Sequence, residues 1–121
     1  EIKKRKTYAK YKSFLHLAAR SENVEILDVF LNRNLIDINI VDDLGETPFM
    51  EACRYLRPMN IDRLSKIENL DYLHCNKKGE DALLIVSKNN NLNNCDEIRK
   101  SKDEYFKQCI LLVKFDRLME L

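Results

Sequence analysis

Thirty-four residues after Gly45 stands Gly79, and the segments that follow the two glycines match in kind. The first reads Gly45-Glu46-Thr47-Pro48-Phe49-Met50-Glu51-Ala52-Cys53, the second Gly79-Glu80-Asp81-Ala82-Leu83-Leu84-Ile85-Val86-Ser87. Stepping back 34 residues from Thr47 reaches Ser13-Phe14-Leu15-His16-Leu17-Ala18-Ala19. Each copy opens on a small polar residue or a carboxylate and runs on into an apolar helix. A fixed period of this length confines the chain to a stack of like helical units that bury their faces against one another.

The chemistry of each copy is local. Ser13, Thr47 and Asp81 are N-cap residue types, whose side-chain oxygens accept from free N–H groups of a first helical turn. Pro48 falls at the first helical position, where a missing N–H costs nothing. Gly45 and Gly79 stand in the preceding turns, where a positive φ is expected. Ala18, Ala19 and Ala52 let neighbouring helices approach closely. In the first copy a second helix is read over 23–31, with Val24, Leu27, Phe30 and Leu31 at helical spacing. Asn34 sits where a helix often ends left-handed, and 36–40 reads as extended. The second copy carries Arg57-Pro58-Met59-Asn60-Ile61, which predicts a short second helix near 62–68. The third has an Asn-rich insertion over 89–94, then a helix from about Asp96 or Asp103 to Phe115.

These residues resemble the ankyrin repeat, whose signature runs roughly D-x-x-G-x-T-P-L-H-x-A-A. The matches are Leu15-His16-Leu17-Ala18-Ala19 and Asp42-x-x-Gly45-x-Thr47-Pro48. The third copy keeps Asn76-Lys77-Lys78-Gly79 but only apolar character in its helix. The resemblance implies an all-α helical repeat solenoid with hairpin-like turns. Its expected divisions are a basic N-terminal segment or cap over 1–12, repeats at 8–41, 42–75 and 76–115, and the start of a further segment at 116–121. It also implies that His16 hydrogen-bonds the turns between neighbouring repeats.

Composition removes several function classes. Lys and Arg total 21 against 20 Asp and Glu, so a net charge of +1 gives no global pull toward nucleic acid or membrane. No apolar run approaches the roughly 20 residues of a membrane-spanning helix. Two glycines cannot build a Gly-rich phosphate loop. His74-Cys75 lacks two further zinc ligands at suitable spacing, and no cofactor is expected. Cys53 and Cys109 read as small core hydrophobes, and the four scattered cysteines as free thiols in an intracellular, cytoplasmic or nuclear setting. The run Lys3-Lys4-Arg5-Lys6, with Tyr8 and Tyr11 beyond it, is either an import or anion-binding signal or a solvated first turn. A first residue other than Met suggests a piece of a longer chain.

By the resemblance, turn tips and the outward sides of the first helices line a concave groove that faces a partner protein. The first copy offers Lys10, Lys12 and Arg20; the second Asp43, Leu44, Glu46, Arg54 and Tyr55; the third Lys77, Lys78, Glu80 and Lys88. Arg and Tyr are enriched at energetic centres of interfaces. Leu44 is apolar at an exposed tip with no evident structural need. The alternative for this set is a solvated polar face. The expected function is non-catalytic protein–protein interaction, alternatively the regulatory or substrate-recruiting part of a larger enzyme or channel. A far-ultraviolet dichroism spectrum dominated by helix is expected, and a strand-dominated spectrum would contradict the repeat.

Overall fold

The computed structural model describes residues 12–34, 36–87 and 95–119, and among these residues all regular structure is helical. Ser13 caps α1 (Phe14–Ala19): its Oγ accepts the His16 N–H at 3.1 Å, and its own N–H donates to His16 Nδ1 at 3.2 Å. Asn23 caps α2 (Val24–Arg33), which ends on Asn34 in the left-handed conformation at φ 52°. Thr47 caps α3 (Pro48–Arg54), with Pro48 in its first turn. Asp81 Oδ1 accepts the Leu84 N–H at 3.0 Å ahead of α5 (Ala82–Ser87).

Three details depart from expectation. The second helix of the second copy, α4, spans Pro58–Ser65, earlier than the 62–68 read from sequence. Pro58 starts this helix, since its fixed φ and missing N–H suit the first turn. In the third copy both candidate starts are used: α6 (Cys95–Arg99) precedes α7 (Lys102–Met119), which runs beyond Phe115. The 36–40 stretch is not extended but turns, with the Ile40 N–H on the Asp37 carbonyl at 3.1 Å.

Helices α1 to α5 have between 6 and 10 residues, too short to persist alone in water. Their stability comes from stacking. The first helices α1, α3 and α5 pack in sequence, and α2, α4 and α7 form a second layer. Ala18, Ala19, Ala52 and Cys53 lie fully inside the first layer, where small side chains permit close approach. Leu27, Phe49, Ile61 and Leu64 fill the space between layers, each contributing about 1.5–3 kcal/mol by leaving water. Phe49, Tyr72, Tyr105 and Phe106 form an aromatic cluster that seals α7 to the second copy, with Phe49 and Phe106 edge-to-face at 5.3 Å. Cys53 and Cys109 are buried free thiols, and burial pushes the Cys53 thiol up, keeping it protonated and unreactive.

The helix ends are finished by neighbours. The carbonyls at the end of α1 receive donors from the next copy: Asn60 Nδ2 reaches Ala19 and Ser21 at 2.7 and 2.8 Å, and Arg57 Nε reaches Arg20 at 2.7 Å. Helix α3 ends in a Schellman motif, with the Arg57 N–H on Ala52 and the Leu56 N–H on Cys53. Leu56 takes the left-handed position at φ 59°, which costs a residue with a Cβ about 1–2 kcal/mol.

The two glycines separate backbone strain from crowding. Both have positive φ, 78° at Gly45 and 80° at Gly79. A Cβ on Gly45 would lie 3.1 Å from the Lys77 nitrogen, whereas one on Gly79 meets nothing within 4 Å. Gly79→Ala is expected to destabilise by about 1 kcal/mol and Gly45→Ala by about 2 kcal/mol or more in urea unfolding. Equal losses, or the reverse order, would show that the second and third turns do not pack as described.

Candidate interaction surface

The turn at 42–46 is built by one aspartate. Asp42 Oδ1 accepts the N–H groups of Leu44 at 3.0 Å and Glu46 at 2.9 Å, and the Asp42 N–H closes onto the Glu46 carbonyl at 2.9 Å. Thirty-four residues on, Asn76 Oδ1 accepts from Lys78 and Glu80 at 2.9 Å each, and its N–H reaches the Glu80 carbonyl at the same distance. Asp and Asn do the same work because only a side-chain carbonyl-type oxygen one methylene from the backbone is needed.

Three successive carbonyls of this turn are then gripped from elsewhere in the stack. Leu44 receives the Lys77 N–H at 3.0 Å, Gly45 receives His74 Nε2 at 2.8 Å, and Glu46 receives His16 Nε2 at 2.7 Å. A carbonyl can only accept, so Nε2 carries the proton in both histidines. His16 Nδ1 is then an acceptor, and Ser13 donates to it from N–H and from Oγ, the latter at 2.8 Å. His16 thus has the bridging role that the resemblance implied. His74 grips the turn from the end of the same copy, a role its sequence surroundings did not suggest. Its neighbour Cys75 directs its thiol toward the Leu73 carbonyl instead.

Behind the turns runs a row of charges that links the copies. Lys12 Nζ lies 2.5 Å from Asp42 and 3.2 Å from Glu51, and Arg20 lies 3.5 Å from Glu51. Arg20 also covers the Tyr55 ring at 5.1 Å. Arg54 binds Glu46 through Nε and Nη2, and Asn76 Nδ2 donates to the same carboxylate at 2.9 Å. Burial pushes the Asp42 carboxyl up, but the Lys12 ammonium and the Glu46 N–H outweigh it and hold Asp42 below its ordinary value. Burial likewise lowers Lys12, and the two carboxylates more than restore it. Glu51 is fully buried, and its oxygens have ion-pair partners but no aligned hydrogen bond. Asp42, Glu46 and Glu51 bring carboxylate oxygens within 4.8 Å of one another, a donor set suited to a hard cation. The Lys12 ammonium already stands against two of the three, so a metal ion would have to displace it.

The residues expected to face a partner therefore divide. Leu44 is 55% exposed at its tip, flanked by half-buried Asp43 and by exposed Lys77 and Lys78, with Glu80 half-buried in the next turn. Arg54 and Tyr55 are exposed at the far end of α3, with Arg20 partly exposed beside Tyr55. Glu46 is only 2% exposed and its carboxylate is held by Arg54 and Asn76, so it braces the surface from within. Lys12 is similarly committed to Asp42 and Glu51. Lys10 and Lys88 lie outside the described residues. The sequence reading passed over Glu51, although a carboxylate there stands out: the equivalent positions 34 residues either way are Leu17 and Ile85.

His16 makes stability depend on pH. Burial lowers its pKa, and its Nδ1 faces a backbone donor that a second ring proton would oppose. The unfolded chain keeps the ordinary value near 6.5, so below that pH the unfolded state binds the extra proton and stability falls. Wild type is expected to lose urea resistance between pH 7.5 and 5.5, and His16→Gln to show a flatter dependence, with His74 present in both. A loss equally steep in the variant would assign the effect to another group.

Comparison with known proteins agrees with this geometry. The family model for ankyrin repeats (many copies) matches residues 15–64. Among curated proteins none matches the chain significantly. Paired short helices, Asx-built turns with left-handed glycines and a histidine that ties one copy to the next, together with this match, place residues 15–64 in the ankyrin repeat family.

Proposed function

We propose that the chain is a non-catalytic protein-interaction module in an intracellular setting, which presents its turn tips and the outward sides of α1 and α3 to a partner protein. Ankyrin repeats generally serve in protein–protein interaction. The observation that best supports the reading is Leu44: an exposed leucine on a turn whose carbonyls at 44, 45 and 46 are all hydrogen-bonded to other parts of the stack. An apolar side chain displayed on backbone that is already ordered loses little entropy on binding. Asp43, Lys77, Lys78 and Glu80 surround it with charges of both signs, which favours a partner with its own charge pattern over a plain polyanion. Arg20, Arg54 and Tyr55 extend the surface along α3, while Lys12 and Glu46 hold it in shape from behind.

The reading is tested by affinity capture with mass spectrometry, comparing wild type with Leu44→Asp/Lys77→Glu. Both changes are on exposed side chains, so the melting temperature should hold. A partner retained by wild type and lost at least about tenfold by the variant is expected. Equal retention by both proteins would remove the turn tips as the binding surface.

A further inference from the structure

A second surface lies at the opposite end of α3. The helix carries the chain roughly 10 Å away from the turn tips, at about 1.5 Å per residue. There the left-handed Leu56 swings the backbone into α4. The last turns of α7 approach the same place, and Arg117 Nη1 donates to the Leu56 carbonyl at 3.1 Å across 61 residues of sequence. Between the two elements is an open cleft of about 780 Å³. That is within the roughly 300–1,000 Å³ of sites that take a ligand or a few side chains.

The lining is lopsided in charge. Four cations reach it, Arg54, Arg57, Lys114 and Arg117, against the single carboxylate of Glu22. Two of the four are answered inside the chain. Arg54 is held by Glu46; Arg57 lies 3.9 Å from Glu22 and donates to the Arg20 carbonyl. Among the described residues the other two are not. The Leu56 carbonyl positions Arg117 but carries no charge to cancel it, and Lys114 has no ion-pair partner among the described residues. The carbonyl end of α7 explains why Arg117 is tolerated in its last turn, Lys114 lying a turn earlier. It does not explain why they are aimed at the α3–α4 turn. Apolar surface lies beside them: Tyr55, Leu56 and Pro58 on one wall and Leu118, 66% exposed, on the other.

We propose that this cleft docks an acidic segment of another protein, with its carboxylates on Lys114 and Arg117 and an apolar residue against Tyr55, Leu56 and Leu118. The two cations stand three residues apart on one helix face, so neighbouring carboxylates of an extended peptide can meet both. The apolar wall makes the preference one for acidic segments that also carry a leucine or phenylalanine, as opposed to any anion. The site adjoins the surface proposed above at Arg54 and Tyr55 and goes beyond it: its centre is at the other end of α3 from the turn tips, and the charges left uncompensated among the described residues belong to α7.

Fluorescence anisotropy on the full chain tests this, using a labelled short peptide of Asp, Glu and Leu, and its counterpart with Lys in place of the acids. Wild type should bind the acidic peptide, more weakly as salt rises, and not the basic one. Lys114→Glu should weaken binding about tenfold, and Leu118→Asp by a similar factor. Both side chains are exposed, so unchanged dichroism and melting temperature are expected. The turn-tip variant Leu44→Asp/Lys77→Glu should bind the peptide as wild type does, which keeps failure of either surface distinguishable from the other. The proposal is overturned if wild type does not bind the acidic peptide, or if Lys114→Glu binds it equally well. It is also overturned if the turn-tip variant loses it as fully, or if wild type binds anionic lipid vesicles and not the peptide.

Discussion

The stack hangs on one five-residue turn. Asp42 folds it from inside, and the carbonyls of Leu44, Gly45 and Glu46 are then taken by Lys77, His74 and His16, donors that lie 30 residues or so away in either direction. A turn has no ladder of its own to satisfy its backbone, and buried carbonyls left without donors are costly. Here the neighbouring copies supply two of those donors, Lys77 and His16, and the end of the same copy supplies His74, so the turn is complete only when the copies are stacked. The same holds at the other end of α1, whose last carbonyls depend on Asn60 and Arg57 of the following copy. Helices of one or two turns therefore gain order from both ends at once.

The charged row behind the turns follows from this geometry. Once the turn is held against α1 and α3, Asp42, Glu46 and Glu51 are out of water, and each must have a cation close by. Lys12, Arg20 and Arg54 meet that need and still reach the surface with part of their length. Their duties are thus divided between fold and surface. A change at Arg54 would leave Glu46 buried beside fewer donors and would disturb both. Leu44, Lys77 and Lys114 carry no such burden, which makes them cleaner reporters of binding.

The third copy departs most from the pattern, and its departure creates the cleft. Its long second-layer helix α7 packs Tyr105, Phe106, Cys109 and Val113 into the core but keeps going past the stack. The overhanging turns bring Lys114, Arg117 and Leu118 over the α3–α4 connection, where Leu56 already sits in a strained conformation. Strain held in a non-glycine residue beside an open, charged cleft is a pattern common where backbone shape serves binding.

The sequence alone determined the 34-residue period, by plain recurrence, and what depends on chemistry within about five residues: the caps at Ser13, Thr47 and Asp81, Pro48, the left-handed Asn34, and the glycine turns. Each is a short-range contest between one side chain and nearby backbone, so residue type and spacing suffice. His16 was legible by resemblance, because its position in the motif implies its partner. Only the tertiary structure decided that Pro58 begins a helix, that Glu46 faces inward, that His74 grips Gly45, and that Arg117 reaches Leu56. Long charged side chains have many rotamers and several partners of opposite sign in a chain that is one-third charged. Which partner each takes is settled only when stacking removes water from some of them and leaves it on others.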